Sequence, residues 1–399
     1  MMTVDAFLPV VMILSTIVVA MMTLLPLIPH QHWIFRGLDF PRLQIAVAAL
    51  VLLALQIVLL DFEQATSWLL VSVVALCLAG QLWWILPYTP LWPKEVKAAC
   101  SDDPERTVTI PTANVLTPNR NAGALIHLVE QHKPDVLVTL ESDQWWEDQL
   151  TVLETSMPYT VKCPLDNLYG MHVFSRLPLL ESECCYLIED SVPSMHALLK
   201  LRSGDQVRLH FVHPAPPSPT ENPESAERDA ELVIVGRSAA DSDEPVIVTG
   251  DLNDVAWSPT TRLFRKVSGL LDPRVGRGFY STFHADWRLM RWPLDHLFHS
   301  KHFTLASLAR LPSIGSDHFP LLTSLVFTPE EGSDQQPLKP EEGDQELART
   351  LARAEGGSKH DVPSPREPMS RALLIDHPTP SLKAHPRVAQ WPGNAEAIR

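Results

Sequence analysis

Val246-Ile247-Val248-Thr249-Gly250-Asp251-Leu252-Asn253 is the stretch that decides the reading of this chain. Three consecutive β-branched apolar residues suit a strand buried on both faces. Gly250 then allows a sharp turn, and Asp251 and Asn253, two apart, project to one side of the chain. The same device recurs elsewhere. Leu137-Val138-Thr139-Leu140-Glu141 is an apolar strand that ends in a carboxylate. Pro293-Leu294-Asp295-His296 and Gly315-Ser316-Asp317-His318-Phe319-Pro320 add two more acid–imidazole pairs. Around these, strands are expected at 107–110, 207–212, 245–248 and 321–326, and helices at 122–132, closed by Pro134, and at 226–238. Such alternation gives an α/β domain over 94–328 with a mixed sheet core.

Carboxylates are the ligands that a hard divalent cation prefers, and imidazole and amide groups can contact or protonate phosphate oxygens. Taken singly, an Asp after a strand is more often a turn residue and a lone His more often structural. Their order along the chain changes the weighing. Glu, His, Gly-Asp-x-Asn, Asp-His, Ser-Asp-His resembles the signature of the endonuclease/exonuclease/phosphatase, or DNase I-like, superfamily over about 220 residues. The resemblance implies a four-layer sandwich of two mixed β-sheets flanked by helices. It also implies a Mg²⁺-dependent hydrolase, with Mn²⁺ as an alternative, in which water attacks phosphorus in line.

Residue by residue, the resemblance implies these roles. Glu141 is the principal metal ligand, with Asp317 and Asn114 on the metal side. His213 contacts the scissile phosphate or its leaving group. Asp251 orients or deprotonates the water, and Asn253 bonds a phosphate oxygen. His318 binds the phosphoryl group, oriented by Asp295. Tyr169, in Tyr169-Gly170-Met171-His172, and Arg291, in a basic aromatic stretch with Trp287, Arg288 and Trp292, are expected to touch substrate. Arg228 is expected on a solvated helix face.

The rest of the chain frames this domain. Residues 1–93 hold three uncharged apolar blocks, about 7–28, 43–60 and 67–88, each near the ~20 residues that cross a bilayer core. Aromatic residues gather at the block ends, as in interfacial belts. No basic start precedes the first block, so three transmembrane helices are expected rather than a cleavable leader. The positive-inside rule, resting on Arg36, Arg42, Lys94 and Lys97, places the domain in the cytoplasm. Resemblance to a bacterial membrane-bound branch of the superfamily, in the plasma membrane, leans instead to the external face. Residues 329–399, Pro-rich and charged, are expected to be a disordered tail in which residues 345–355 can form a transient helix. Five cysteines, an odd number with Cys184 and Cys185 adjacent, give no disulfide framework or zinc motif.

A net charge of −15 argues against tracking along a nucleic-acid backbone. Together with the anchor it favours a lipid-linked or membrane-proximal phosphodiester or diphosphate, with the bilayer as a standing partner. A membrane-tethered nuclease and a catalytically inactive docking module are the competing readings.

Overall fold

The computed structural model describes residues 4–100, 103–242 and 244–363. The apolar blocks form helices α1 (Val4–Leu24), α3 (Arg42–Leu59) and α4 (Ala65–Ile85), with a single turn, α2 (Trp33–Arg36), between the first two. Phe7–Leu27, Arg42–Leu59 and Ala65–Tyr88 are long and apolar enough to cross a membrane. Their few polar side chains face one another. Gln56 Nε2 donates to Thr16 Oγ1 (2.8 Å) and Gln81 Nε2 to Thr23 Oγ1 (3.0 Å), so each glutamine ties two helices together. Such bonds replace a hydrophobic driving force that lipid does not supply.

Arg36 and Arg42 are both buried. Arg36 donates to the carbonyls of Ile28 (2.7 Å) and His30 (2.9 Å), while Arg42 pairs with Asp39 and lies 4.7 Å above the Trp84 ring.

Two sheets follow. The first contains β1 (Thr107–Asn114), β2 (Val136–Leu140), β3 (Tyr159–Cys163) and β4 (Met171–Ser175), joined by the late strands β10 (Phe303–Arg310) and β11 (Leu321–Phe327), in the order β10-β11-β1-β2-β4-β3. The second runs β5-β6-β7-β8-β9, where β5 is Leu179–Cys185, β6 Ser194–Lys200, β7 Gln206–Phe211, β8 Val246–Asp251 and β9 Asp295–His299. Val138, Leu140 and Val173 from one sheet meet Ala197, Leu209, Phe211 and Ile247 from the other in the main core. Helices α5 (Ala122–His132) and α6 (Gln144–Leu150) cover the outer face of the first sheet, and α7 (Ala226–Ala240) and α8 (Pro259–Ser268) that of the second. This is the expected four-layer sandwich. The strand expected at 107–110 runs on through Pro111 to Asn114, because parallel pairing with β2 begins beyond the proline, at Thr112↔Val138.

The expectation of disorder from 329 onward does not hold for its first part. After the short α9 (Pro329–Gly332), helix α10 (Asp344–Ala354) packs Ala348 and Ala352 into the cluster formed by α7 and α8, and Val362 joins them. The reason lies in α7. Its run Leu232-Val233-Ile234-Val235 is buried on every side, and a helix apolar all round needs a cover on the face that its sheet does not reach. Residues 364–399 lie outside the described part.

The anchor is joined to the sandwich by more than the chain. The Tyr88 hydroxyl donates to the Ala256 carbonyl (2.5 Å), Trp257 Nε1 donates to the Asp39 carbonyl (2.7 Å), and Ala46, Ile85 and Tyr88 share a cluster with Val255, Trp257 and Leu294. Buried Arg265 pairs with Glu95 and donates to the Tyr88 hydroxyl (3.2 Å).

The helix-covered face of the second sheet holds an acid-sensitive pair. His196 and His210, on neighbouring strands, bring their Nδ1 atoms to 2.8 Å, and both are buried. Burial, with Arg208 nearby, pushes His196 down to about 3 and His210 well below its ordinary value. Because folding lowers these values, the unfolded chain binds more protons below about pH 6.5. Their contribution is full above that pH and is lost as pH falls toward the folded values. At about pH 4.5 the loss from His196 is on the order of 3 kcal/mol, and His210 adds in the same direction. Changing both to Gln is expected to shift the acid-unfolding midpoint of the full chain in detergent, followed by tryptophan fluorescence, to lower pH. An unchanged midpoint would contradict this.

Candidate active site

β1 and β2 run parallel, as do β7 and β8, so Asn114, Glu141, His213 and Asp251 all stand at carboxyl ends of strands. β9 and β11 run antiparallel to their neighbours, which brings Asp295 and His318, at or before their amino ends, to the same edge of the sandwich. The two sheets are clasped just beneath by a hydrogen bond between Thr112 and Thr249 (Oγ1 to Oγ1, 2.6 Å). Gly250 sets the closeness of β8 and the segment after β7. A Cβ there would lie 1.8 Å from the Val212 carbonyl oxygen, so only glycine lets His213 and Asp251 approach. Glu141 (φ 57°) and Asn253 (φ 50°) both take the left-handed conformation, which turns each side chain off the end of its strand.

Asn114 is the bridge at the centre. Its Nδ2 donates to Glu141 Oε1 (2.7 Å) and to Asp251 Oδ2 (3.2 Å), while its Oδ1 accepts the Leu116 amide (3.1 Å). Asp251 Oδ1 accepts the Asn253 amide (2.9 Å), and its Oδ2 lies 3.5 Å from His318 Nε2 and 4.0 Å from His213 Nε2. His318 Nδ1 lies 2.8 Å from Asp295 Oδ2. The Asn253 amide group donates to the Pro214 carbonyl (3.0 Å), joining the loop after β8 to the loop after His213.

Burial opposes charge on His318, but Asp295 and Asp251 outweigh it and hold the imidazolium up to about 10. Asp251, equally buried, is kept below the ordinary carboxylate value by His318 and His213. His213 goes the other way, because burial takes it down to about 4 and leaves it neutral at physiological pH. Glu141 is pushed up to about 8 by burial, opposed by its bond from Asn114 and the charge of His318, with the charges of Asp317 and Asp251 adding.

A carboxylate oxygen so placed, beside Asp317 and Asp251 and steered by Asn114, fits a hard divalent cation. Asp251, Asp295 and His318 also bring side-chain ligand atoms within 4.8 Å of one another. His318, protonated between two carboxylates, has no free lone pair there, so the oxygens of Glu141 and Asp317 are the better donors. Asn114, with both ends of its amide engaged, orients Glu141 in this arrangement.

The sequence profile of the Endonuclease/Exonuclease/phosphatase family matches residues 112–318. The chain belongs to this family. The match runs from the middle of β1 to His318 and so takes in the whole cluster. Members are hydrolases of phosphoesters that depend on divalent metal. Among solved structures, the chain is similar to D. rerio TDP2 complexed with a single-strand DNA product (18% identity, 55% of this chain and 98% of that chain, TM-score 0.46). It is also similar to the human Nocturnin catalytic domain with bound sulfate (19%, 57% and 96%, TM-score 0.45). A family protein from Bacteroides vulgatus is a third (19%, 55% and 99%, TM-score 0.44). No curated protein matches the chain.

Of the residues singled out in the sequence, Asn114, Glu141, His213, Asp251, Asn253, Asp295, Asp317 and His318 come together. Tyr169 stands at their side, its ring 5.4 Å from that of His213 and its hydroxyl donating to Glu221 (2.7 Å). Arg291 does not reach the cluster's centre. It donates to the carbonyls of His284 (3.1 Å) and Ala285, over the Phe319 ring.

Arg228 is the correction of most consequence. It is buried, not solvated, and donates to the Asn253 carbonyl (3.0 Å) and to Asp229 Oδ1 (2.9 Å), with Asp254 3.6 Å away. Thr117, which sequence reasoning passed over, holds the Glu141 carbonyl through its hydroxyl (2.7 Å). Neither has a local sequence signal beyond polarity. Each acts through a contact with a distant loop.

Proposed function

We propose that this chain is a membrane-anchored, divalent-metal-dependent hydrolase of phosphate esters, in which water attacks phosphorus. In this reading the substrate is a phosphodiester or diphosphate on a lipid or close to the bilayer surface. The observation that carries it is the Asp251–His318–Asp295 line beside Glu141, built on a sandwich fastened directly to the ends of three apolar helices.

Each side chain then has one task. Glu141 and Asp317 would hold Mg²⁺ or Mn²⁺, and Asn114 fixes Glu141 while bridging it to Asp251. Asp251, ionised and aimed by the Asn253 amide, takes a proton from the attacking water. His318, charged and oriented by Asp295, meets the negative charge that grows on the non-bridging oxygens, and Asn253 adds an amide donor. His213, neutral, contacts the leaving-group side, with the Tyr169 ring against it and Arg291 at the rim. A divalent cation held there would supply neutralisation of the charge on the phosphoryl oxygens.

The chain is placed in a bacterial plasma membrane with the domain outside. In support, the basic bias toward a cytoplasmic domain rests on Arg36, Arg42, Lys94 and Lys97 alone.

The test uses the full chain in vesicles, because the anchor and α10 both pack on the domain. Phosphate or alcohol release is followed from a polyprenyl diphosphate, common phospholipids, inositol phosphates, and single- and double-stranded DNA. Turnover of lipid substrates is expected with Mg²⁺, is expected to fall to background with chelator, and to return on adding the metal back. Turnover of DNA alone would make the anchor a tether for a nuclease. No turnover at all would favour the docking-module reading.

A further inference from the structure

Residues 284–291 leave the site as a closed loop whose tip is out of place on a water-soluble surface. Trp287 is 63% exposed, Leu289 87% and Met290 49%, three large apolar side chains within four positions. The loop is not loose. Its base is zipped by Thr282 and Phe283 amides donating to the Trp292 carbonyl (3.1 Å each) and by the His284 amide to Met290 (3.2 Å). Exposed apolar side chains on an ordered support mark a contact surface.

Two further contacts say what the surface meets. Gln44, in the first turn of α3, donates through Nε2 to the Leu289 carbonyl (2.8 Å), and Phe40 lies edge-on to Trp292 at 5.7 Å. Leu43 and Val47, beside Gln44, are exposed on the apolar flank of the same helix. The tip is therefore continuous with the apolar surface of the membrane-spanning helices, at the level where α3 begins. Trp287 at that level suits the headgroup boundary, and Arg288 beside it suits lipid phosphates.

The inner side of the same loop touches the site. The Ala285 amide donates to the Asp317 carbonyl (2.6 Å), and the Phe283 ring lies 4.9 Å from that of His318. We propose that residues 284–291 seat Trp287, Leu289 and Met290 in the bilayer interface, forming a wall that makes the site select phosphoesters held in the membrane over the same chemistry in solution. The selectivity half rests on the hydrolase reading above, and the seating half does not.

Both halves are tested with the full chain in vesicles of phosphatidylethanolamine and phosphatidylglycerol. For seating, the vesicles carry brominated acyl chains, and tryptophan quenching is compared between the unmodified chain and Trp287→Phe. A quenchable component absent from Trp287→Phe is expected, and identical quenching overturns the proposal whether or not any activity is found. For selectivity, Leu289→Ser/Met290→Ser is assayed on a vesicle-embedded phospholipid and on soluble bis(p-nitrophenyl) phosphate. At least a tenfold fall in kcat/KM on the embedded ester, with the soluble ester unchanged, is expected. Equal falls on both would make the loop a support for Asp317 and His318, and no fall on either would leave it without a part in selection. Either result overturns that half. Failure of the unmodified chain on every phosphoester would instead count against the hydrolase reading, with the quenching result standing by itself.

Discussion

Asp251→Asn is expected to lower kcat by about 10²–10⁴ and to destabilise the folded chain near neutral pH. The activity loss follows from position. Asp251 is buried, ionised by the charge of His318, and aimed by the Asn253 amide, and an amide in its place cannot accept a proton from water. The stability result follows from the charge of His318. Its imidazolium, 3.5 Å from Asp251, leads the contacts that outweigh the desolvation of the carboxylate and hold Asp251 below its ordinary value, so the neutral amide loses that pairing and leaves His318 with Asp295 alone. Steady-state rates on whichever substrate the panel identifies, with thermal unfolding of the same samples, check both parts. A fall of less than tenfold would remove Asp251 from the chemistry.

Arg228→Met should damage the protein by a different route. The guanidinium lies between Asp229 and Asp254, and the change would leave two buried carboxylates without their cation. Breaking a buried pair from one side costs about 3–5 kcal/mol. Asp254 is already raised by burial and relies on Arg228 to oppose that. Activity is expected to fall as well, because Arg228 also anchors the Asn253 carbonyl and with it the loop that follows Asp251. Arg228→Lys should rescue little, since one ammonium cannot reproduce the fork that reaches Asp229 and Asn253 together. Chemical denaturation of the full chain in detergent is the measurement, and a loss below about 1 kcal/mol would show that the two aspartates find other partners.

How far the sequence could be read tracks how local each signal is. The strand Val246–Asp251 and its turn were visible because β-branched residues, a glycine and two polar side chains stand in one short run. The acid–imidazole motifs were visible for the same reason, and their order supplied the fold. The burial of Arg228 and the docking of α10 are not legible in the same way, because what defines them lies elsewhere. Nothing near Arg228 in sequence reveals that a loop 25 positions on will offer its carbonyl. Residues 344–354 look like a polar tail until α7 is seen to be apolar on the face its sheet leaves open. That clue, Leu232-Val233-Ile234-Val235, was in the sequence, but it sits in a different element from the one it explains. Arg36 and Arg42, legible in the sequence only as charge near the apolar blocks, are engaged inside the fold with carbonyls and Asp39.

The lock made by Tyr88, Trp257 and Asp39 between the apolar helices and the sandwich would, in a bilayer, hold the candidate site at one altitude. An enzyme on a flexible leash sweeps a volume and can fetch substrate from many depths. This one, fastened at the root, patrols a plane. For a chain seated in a bilayer, only phosphorus atoms carried at one height come into range, so the length of the stalk that presents a phosphate becomes a recognition feature as real as its chemistry.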